Sequence, residues 1–117
     1  MLDKKTARKA LRDMSELPKV MPTLKSSYRD RKLFVDLIEA NLILGRFGPA
    51  IELVKNAEGS TAYKGACAEA WFKVAEYYEF HGNELAAIRY FTIARGHEGN
   101  KFIRDKSTKR LSDIFAS

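Results

Sequence analysis

The side chains that could act as nucleophiles, bases or metal ligands are few and widely separated. The 117-residue chain has one cysteine, Cys67, and two histidines, His81 and His97. No histidine or second cysteine lies close enough to Cys67 in the sequence to suggest a metal site or a catalytic pair. Cys67 stands among alanines, which favours a small apolar core residue. Both histidines follow predicted helix ends, where a histidine stabilises the helix or is exposed.

The remaining polar residues also lack a catalytic pattern. The sequence contains no glycine loop for phosphate, no zinc-ligand spacing and no nucleophile motif. Its carboxylates stand among lysines on predicted helix surfaces, which is typical of solvated faces. We therefore expect a protein that is not an enzyme, with no catalytic residue, no metal and no cofactor.

Basic residues concentrate at both ends of the chain. Residues 1–32 contain ten Lys or Arg and four Asp or Glu, a net charge of +6. Residues 33–100 contain six against nine, a net charge of −3, and residues 101–117 contain five against two, a net charge of +3. The simplest explanation is solubility or contact between copies of the chain, and the alternative is contact with nucleic acid or an acidic partner. The candidate contacts at the two ends are Lys4, Lys5, Arg8, Lys9, Arg12, Lys101, Arg104, Lys106, Lys109 and Arg110.

A helical hairpin over residues 71–99 is the clearest structural element. Apolar residues recur at helical spacing on both sides of His81-Gly82-Asn83. Gly82 can take the left-handed conformation that ends a helix, and Asn83 can cap the next one. The apolar positions are Trp71, Val74, Ala75 and Tyr78 before the turn, and Ala87, Phe91 and Ala94 after it.

This hairpin resembles a tetratricopeptide repeat. Trp71, Tyr78, Ala87 and Phe91 stand at the positions of the repeat's Trp, Tyr, Ala and Phe. Residues 74–75, Val-Ala, replace its Leu-Gly, and residue 99, a glycine, replaces its Pro. The resemblance implies a scaffold of stacked helix pairs and leaves the ligand open.

A second, more divergent copy of the hairpin precedes the first by 37 residues. This offset aligns Gly45 with Gly82 and Phe34 with Trp71. The period exceeds the usual repeat of about 34 residues, which places about three extra residues in 58–65. Position 38 is isoleucine where the family has a small residue, so the first copy departs further from the pattern.

The rest of the chain is predicted to cover the two hairpins. A basic amphipathic helix over 4–17 is expected at one end, and a helix over 101–117 at the other, with Phe102, Ile103, Leu111, Ile114 and Phe115 as its apolar positions. The predicted fold is all-α, a right-handed helical-hairpin solenoid of the tetratricopeptide type with about six helices. It forms one domain, 1–117, in four parts: the N-terminal helix 4–17, the divergent repeat 23–58 (helices over about 23–44 and 49–58), the better repeat 61–97, and the capping helix 101–117.

The resemblance also implies where a ligand binds. Tetratricopeptide repeats usually bind extended peptides or helices on a concave surface formed by the first helix of each pair. A family clamp for a terminal carboxylate is not evident, because Glu39 and Glu76 stand where its Asn is expected. The groove is Glu-rich and contains Phe72 and Phe80, although both rings could instead be buried. By position, the groove residues are Lys32, Val35, Glu39, Leu42, Glu69, Phe72, Lys73, Glu76, Glu79 and Phe80.

The expected function is that of a protein-interaction adaptor or regulator whose partner is another protein, through a peptide or a helix. The groove would suit a basic amphipathic segment, such as residues 4–17 of the same chain or of a second copy in a homo-oligomer. The alternatives are an accessory protein that binds nucleic-acid phosphates through its ends, and a small inhibitor that occludes a larger enzyme. No apolar run is long enough for a membrane span, and a cytoplasmic location is expected.

Overall fold

The computed structural model describes residues 4–5, 8–9, 28–97 and 99–116, without the side chains of 28–30 and 61. Within these residues the chain forms five longer helices, and a 3₁₀ turn, Thr61–Tyr63, precedes the third of them. Consecutive helices pack antiparallel, and the third contacts all the others. The all-α prediction is confirmed. The helices are α1 (Tyr28–Ile43), α2 (Phe47–Ala57), α3 (Lys64–Phe80), α4 (Glu84–Gly96) and α5 (Lys101–Ala116).

Two glycine turns of the same geometry end α1 and α3. Gly45 has φ of +76° and Gly82 has φ of +81°, a left-handed backbone that glycine adopts readily. The amide after each glycine donates to a carbonyl five residues earlier, at 2.8 Å for Arg46 and 2.9 Å for Asn83. The Asn83 side chain also accepts a hydrogen bond from the amide of Ala86 at 3.1 Å, which caps α4. Both predicted turns and the predicted cap are confirmed.

The residues that carry the resemblance lie in the core. Ala87 and Phe91 are fully buried, and Trp71 is almost so. Trp71 stacks on Tyr90 with ring centroids 5.4 Å apart, and Tyr90 stacks on Tyr78 at 5.5 Å. These rings join α3 to α4, so the recognisable residues serve packing.

Helix α2 begins earlier than the sequence suggests. It starts at Phe47, two residues before Pro49, which we expected at the first position. The first turn of a helix leaves its amides without intrahelical partners, so a proline at the third position loses no hydrogen bond. The first intrahelical bond there runs from the amide of Ala50 to the carbonyl of Arg46 at 3.1 Å.

Helix α5 buries only one stripe of its surface. Of its five predicted apolar positions, three are buried, while Phe102 and Phe115 are 69 % and 71 % exposed. The packed stripe follows helical spacing and includes a fully buried serine. Phe102 and Phe115 lie outside it because α5 packs on α3 and α4 from one side only. The stripe consists of Ile103, Ser107, Leu111 and Ile114.

The predicted N-terminal helix lies largely outside the described residues. Lys4, Lys5, Arg8 and Lys9 are helical with exposed side chains, and the rest of 4–17 is not described. In the part of the chain that the structure describes, no helix has the length and apolar character needed to cross a membrane.

Candidate functional site

Three adjoining cavities follow α3 between α1 and α5. The first, about 550 Å³, is lined by Asp36 of α1 and by Glu69 and Lys73 of α3, among others. The second, about 270 Å³, shares Glu69 and Lys73 and continues to Glu76 beside the start of α5. The third, about 230 Å³, shares Glu76 and lies beside the end of α3. Together they form one surface, which we call the α3 groove.

An ion pair recurs between neighbouring helices of this groove. Lys73 Nζ of α3 lies 2.8 Å from Glu39 Oε2 of α1. Arg110 of α5 lies 3.2 Å from Glu76 Oε2 of α3, and both partners stand 37 residues after those of the first pair. Arg110 also donates to the carboxylate of Glu79. One such ion pair therefore joins α3 to α1, and another joins it to α5.

The same 37-residue interval separates the first residues of α3 and α5, Lys64 and Lys101. Sequence reasoning treated 101–117 as a cap with candidate basic contacts and predicted no relation to α3. The offset was the available signal, but Thr108 replaces Trp71 and Ser112 replaces Ala75 at the recognisable positions. The correspondence at this interval therefore lies in the helix starts and the ion pairs rather than in residue identity.

The start of α5 is fixed against the start of α3. The Asn100 side chain accepts from the amide of Ile103 at 3.1 Å and donates to the carbonyl of Gly65 at 3.3 Å. The backbones approach so closely that a Cβ at Gly99 would lie 2.9 Å from the Cβ of Lys64. A side chain at 99 would therefore displace the turn that sets one wall of the groove.

Two cations of α5 cover the aromatic floor of the groove. Lys106 Nζ lies 4.7 Å from the ring centroid of Phe72, and the guanidinium carbon of Arg110 lies 5.2 Å from that of Phe91. Such cation–π contacts are attractive at these distances. Phe72, which lies under Lys106, is only 2 % exposed, whereas Phe80 is 76 % exposed.

The groove's cations keep their charge. Burial lowers the pKa of the Lys73 ammonium, but the hydrogen bond and charge of Glu39 outweigh it, so the pKa is raised overall. Burial likewise lowers the pKa of the Arg110 guanidinium, and its hydrogen bonds and charge interactions with Glu79 and Glu76 raise it overall. Near neutral pH, Lys73 therefore offsets part of the negative charge of Glu39. Arg110 does the same for Glu76 and Glu79.

The predicted groove residues divide into accessible and buried groups. The first group lines the cavities with side chains that are at least partly exposed, and it comprises Lys32, Glu69, Lys73, Glu76, Glu79 and Phe80. The second group, Val35, Glu39, Leu42 and Phe72, is buried. Of these, Val35, Glu39 and Phe72 still border a cavity, whereas Leu42 lines none of the three. Arg110 lines the groove although we grouped it with the free basic residues.

The other basic residues are on the surface. Arg12 lies outside the described residues, so nothing is known of its position. Those with exposed side chains are Lys4, Lys5, Arg8, Lys9, Lys101, Arg104, Lys106 and Lys109.

Cys67, His81 and His97 do not line the three cavities of the groove. Cys67 is fully buried, and burial, with a smaller contribution from the charge of Glu58, raises the pKa of its thiol to about 12. Glu58 accepts a hydrogen bond from the Trp71 indole and lies 3.6 Å from His97 Nε2. Among the described residues, no cluster of three or more His, Cys, Asp or Glu side chains could hold a metal ion.

Comparison with known proteins gives no match: no family model, no curated protein and no solved structure is similar to this chain.

Proposed function

We propose that the protein is a non-enzymatic interaction module built as a tetratricopeptide-like solenoid. In this proposal α1–α2 and α3–α4 are two helix pairs, and α5 is the first helix of a third unit. The two equivalent glycine turns support it, as do the two equivalent ion pairs at the 37-residue interval. The proposal also explains why α5 packs on both α3 and α4.

We infer that the α3 groove binds an extended or helical segment of another protein. The observation that carries this inference is the row of adjoining cavities along α3, bordered by α1 on one side and α5 on the other. A row of this kind suits a chain segment better than it suits a compact small molecule, because its three parts share lining residues and are open to solvent.

The charges of the groove limit the partner. Lys73 and Arg110 already neutralise part of its negative charge, and the first cavity contains cations as well as Asp36 and Glu69. A partner segment should therefore carry charges of both signs, with a basic residue near the end of α3. A uniformly basic segment would meet Lys32 and Lys73 at the other end.

A matched pair of charge reversals tests the groove. Peptides are first selected from a random display library by binding to the full chain. They should bind the Glu69→Lys variant about tenfold or more weakly than the unmodified chain. The control is Glu52→Lys on the exposed surface of α2, which should bind unchanged. Equal losses for both variants, or none for either, would place the peptide site elsewhere. Circular dichroism would confirm that both variants remain folded.

A second candidate is non-specific binding of nucleic-acid phosphates. The observation that favours it is that four cations of α5 are exposed: Lys101, Arg104, Lys106 and Lys109. Six to ten phosphate contacts would reduce the affinity by about 10³ to 10⁵ between about 50 and 200 mM salt. Absence of binding to a single- or double-stranded oligonucleotide at low salt would eliminate this candidate.

A further inference from the structure

The cavity at the end of α3 holds more negative than positive charge. Its lining includes two carboxylates, Glu76 and Glu79, and one guanidinium, Arg110. Arg110 contacts both carboxylates. Position 42 of α1, which corresponds to Glu79, is a buried leucine, so the first unit has no such surplus. Glu79 is therefore an additional acceptor that the recurring ion pair does not require.

A buried hydroxyl in the same lining has no hydrogen-bond partner. Tyr77 lines this cavity and is 7 % exposed, and within the described chain its hydroxyl makes no hydrogen bond. Burial, with smaller contributions from the charges of Glu39 and Glu76, raises the pKa of this hydroxyl to about 12. The hydroxyl is thus neutral near pH 7, and its oxygen can accept from a cationic donor. Leaving such a group unpaired is unfavourable, and a cationic donor would satisfy its oxygen as an acceptor, although not its O–H as a donor.

An exposed aromatic ring completes the lining. Phe80 is 76 % exposed at the last residue of α3, whereas the other described aromatic rings of α1 to α4 are at least partly buried. An aromatic face attracts ammonium and guanidinium groups, and arginine makes this contact more often than lysine. The ring, the surplus carboxylate and the unpaired hydroxyl all favour the same class of ligand.

We propose that this cavity, bounded by Glu76, Tyr77, Glu79, Phe80 and Arg110, is a subsite for an arginine or lysine side chain of the partner segment. The subsite deepens the proposed function and rests on the α3 groove as the peptide site. The incoming cation pairs with Glu79, contacts the ring of Phe80 and donates to the Tyr77 hydroxyl. Arg110 remains with Glu76, which preserves the ion pair between α5 and α3.

A small cation tests the subsite without a known partner. The probe is Nα-acetyl-argininamide, which carries the guanidinium as its only charge, and the control is the neutral Nα-acetyl-citrullinamide. NMR titration of the full chain should give saturable shifts at Tyr77, Glu79 and Phe80 with the arginine probe only. Glu79→Gln should weaken the probe by about fivefold, and Phe80→Ala by about two- to fivefold. Added salt should weaken it too.

The matched control is Leu85→Ala, an exposed leucine that follows the turn after α3 and does not line the cavity. It should bind the arginine probe as the unmodified chain does. Absence of saturable shifts, equal shifts with citrullinamide, or insensitivity to Glu79→Gln would each overturn the subsite.

The subsite and the groove can fail separately. If selected peptides bind and depend on Glu69 but the arginine probe does not bind, the subsite alone is wrong. If the arginine probe binds as expected but no peptide is recovered from the library, the groove as a peptide site is wrong.

Discussion

At the scale of single residues, the backbone conformation at Gly82 limits which side chain can stand at this position. Its φ of +81° lies in the left-handed region, where a Cβ costs about 1–2 kcal/mol. Gly82→Ala should therefore lower the free energy of unfolding by about that amount, as measured by urea denaturation. The control is Gly96→Ala at the last residue of α4, where φ is not positive and a Cβ would meet nothing within 4 Å. It should be neutral or slightly stabilising.

Two buried acids should make the fold sensitive to alkali. The pKa of the Cys67 thiol is raised from 9.0 to about 12, and that of the Tyr77 hydroxyl from 10.0 to about 12. Below pH 9 both groups are protonated in the folded and unfolded states. Above it the unfolded chain loses protons first, so the free energy of unfolding should fall as the pH rises from 9 towards 12. Urea midpoints measured at pH 8, 9 and 10 would show this decline.

The control for the alkaline decline is the double variant Cys67→Ala, Tyr77→Phe. It should be less stable at pH 8, because Cys67→Ala removes a buried sulfur atom and leaves a small cavity, but its stability should depend less on pH. A decline as steep as that of the unmodified chain would show that other groups cause it.

Local rules predicted the individual turn and packing residues well. Gly82 and Asn83 follow from cap chemistry, and Trp71 and Phe91 from helical periodicity, because these effects act within a few residues. Local rules did not distinguish the burial of Phe72 from the exposure of Phe80. Phe72 packs against Phe91 of α4 and lies under Lys106 of α5, so its surroundings come from residues distant in the sequence.

At the scale of elements, α5 packs through one stripe of its surface. A buried and an exposed residue of the same helix can therefore be compared by substitution. Leu111 is 4 % exposed within the stripe, and Phe115 is exposed one turn later. Leu111→Ala should cost about 2–5 kcal/mol of unfolding free energy because it leaves a cavity. Phe115→Ala should change it by less than about 0.5 kcal/mol. Similar losses in thermal denaturation would contradict the assigned orientation of α5.

Sequence reasoning did not predict the correspondence between α5 and α3. Periodicity located the helix at Lys101–Ala116, since its apolar residues recur at helical spacing. Its equivalence to α3 rests on Arg110, which repeats the position of Lys73 but sits in a helix without the Trp and Tyr of the family pattern. Charge complementarity between helices is a tertiary property, so one helix read alone does not reveal it.

At the scale of the whole molecule, α3 determines both stability and the site. It is buried against four other helices, and the side it leaves open is the groove. The groove residues Lys73 and Glu76 also make the ion pairs that join α3 to α1 and α5. Substitutions there should therefore alter binding and stability together, whereas substitutions of the partly exposed Glu69, which makes no such ion pair, should alter mainly binding.

The measurement that tests the account most directly is an NMR map of the full chain with the tightest peptide selected from the display library. The backbone amide shifts should concentrate along α3 and on the facing parts of α1 and α5, including Glu69, Glu76 and Phe80. Shifts confined to the outer surfaces of α2 and α4 would contradict the groove as the binding site.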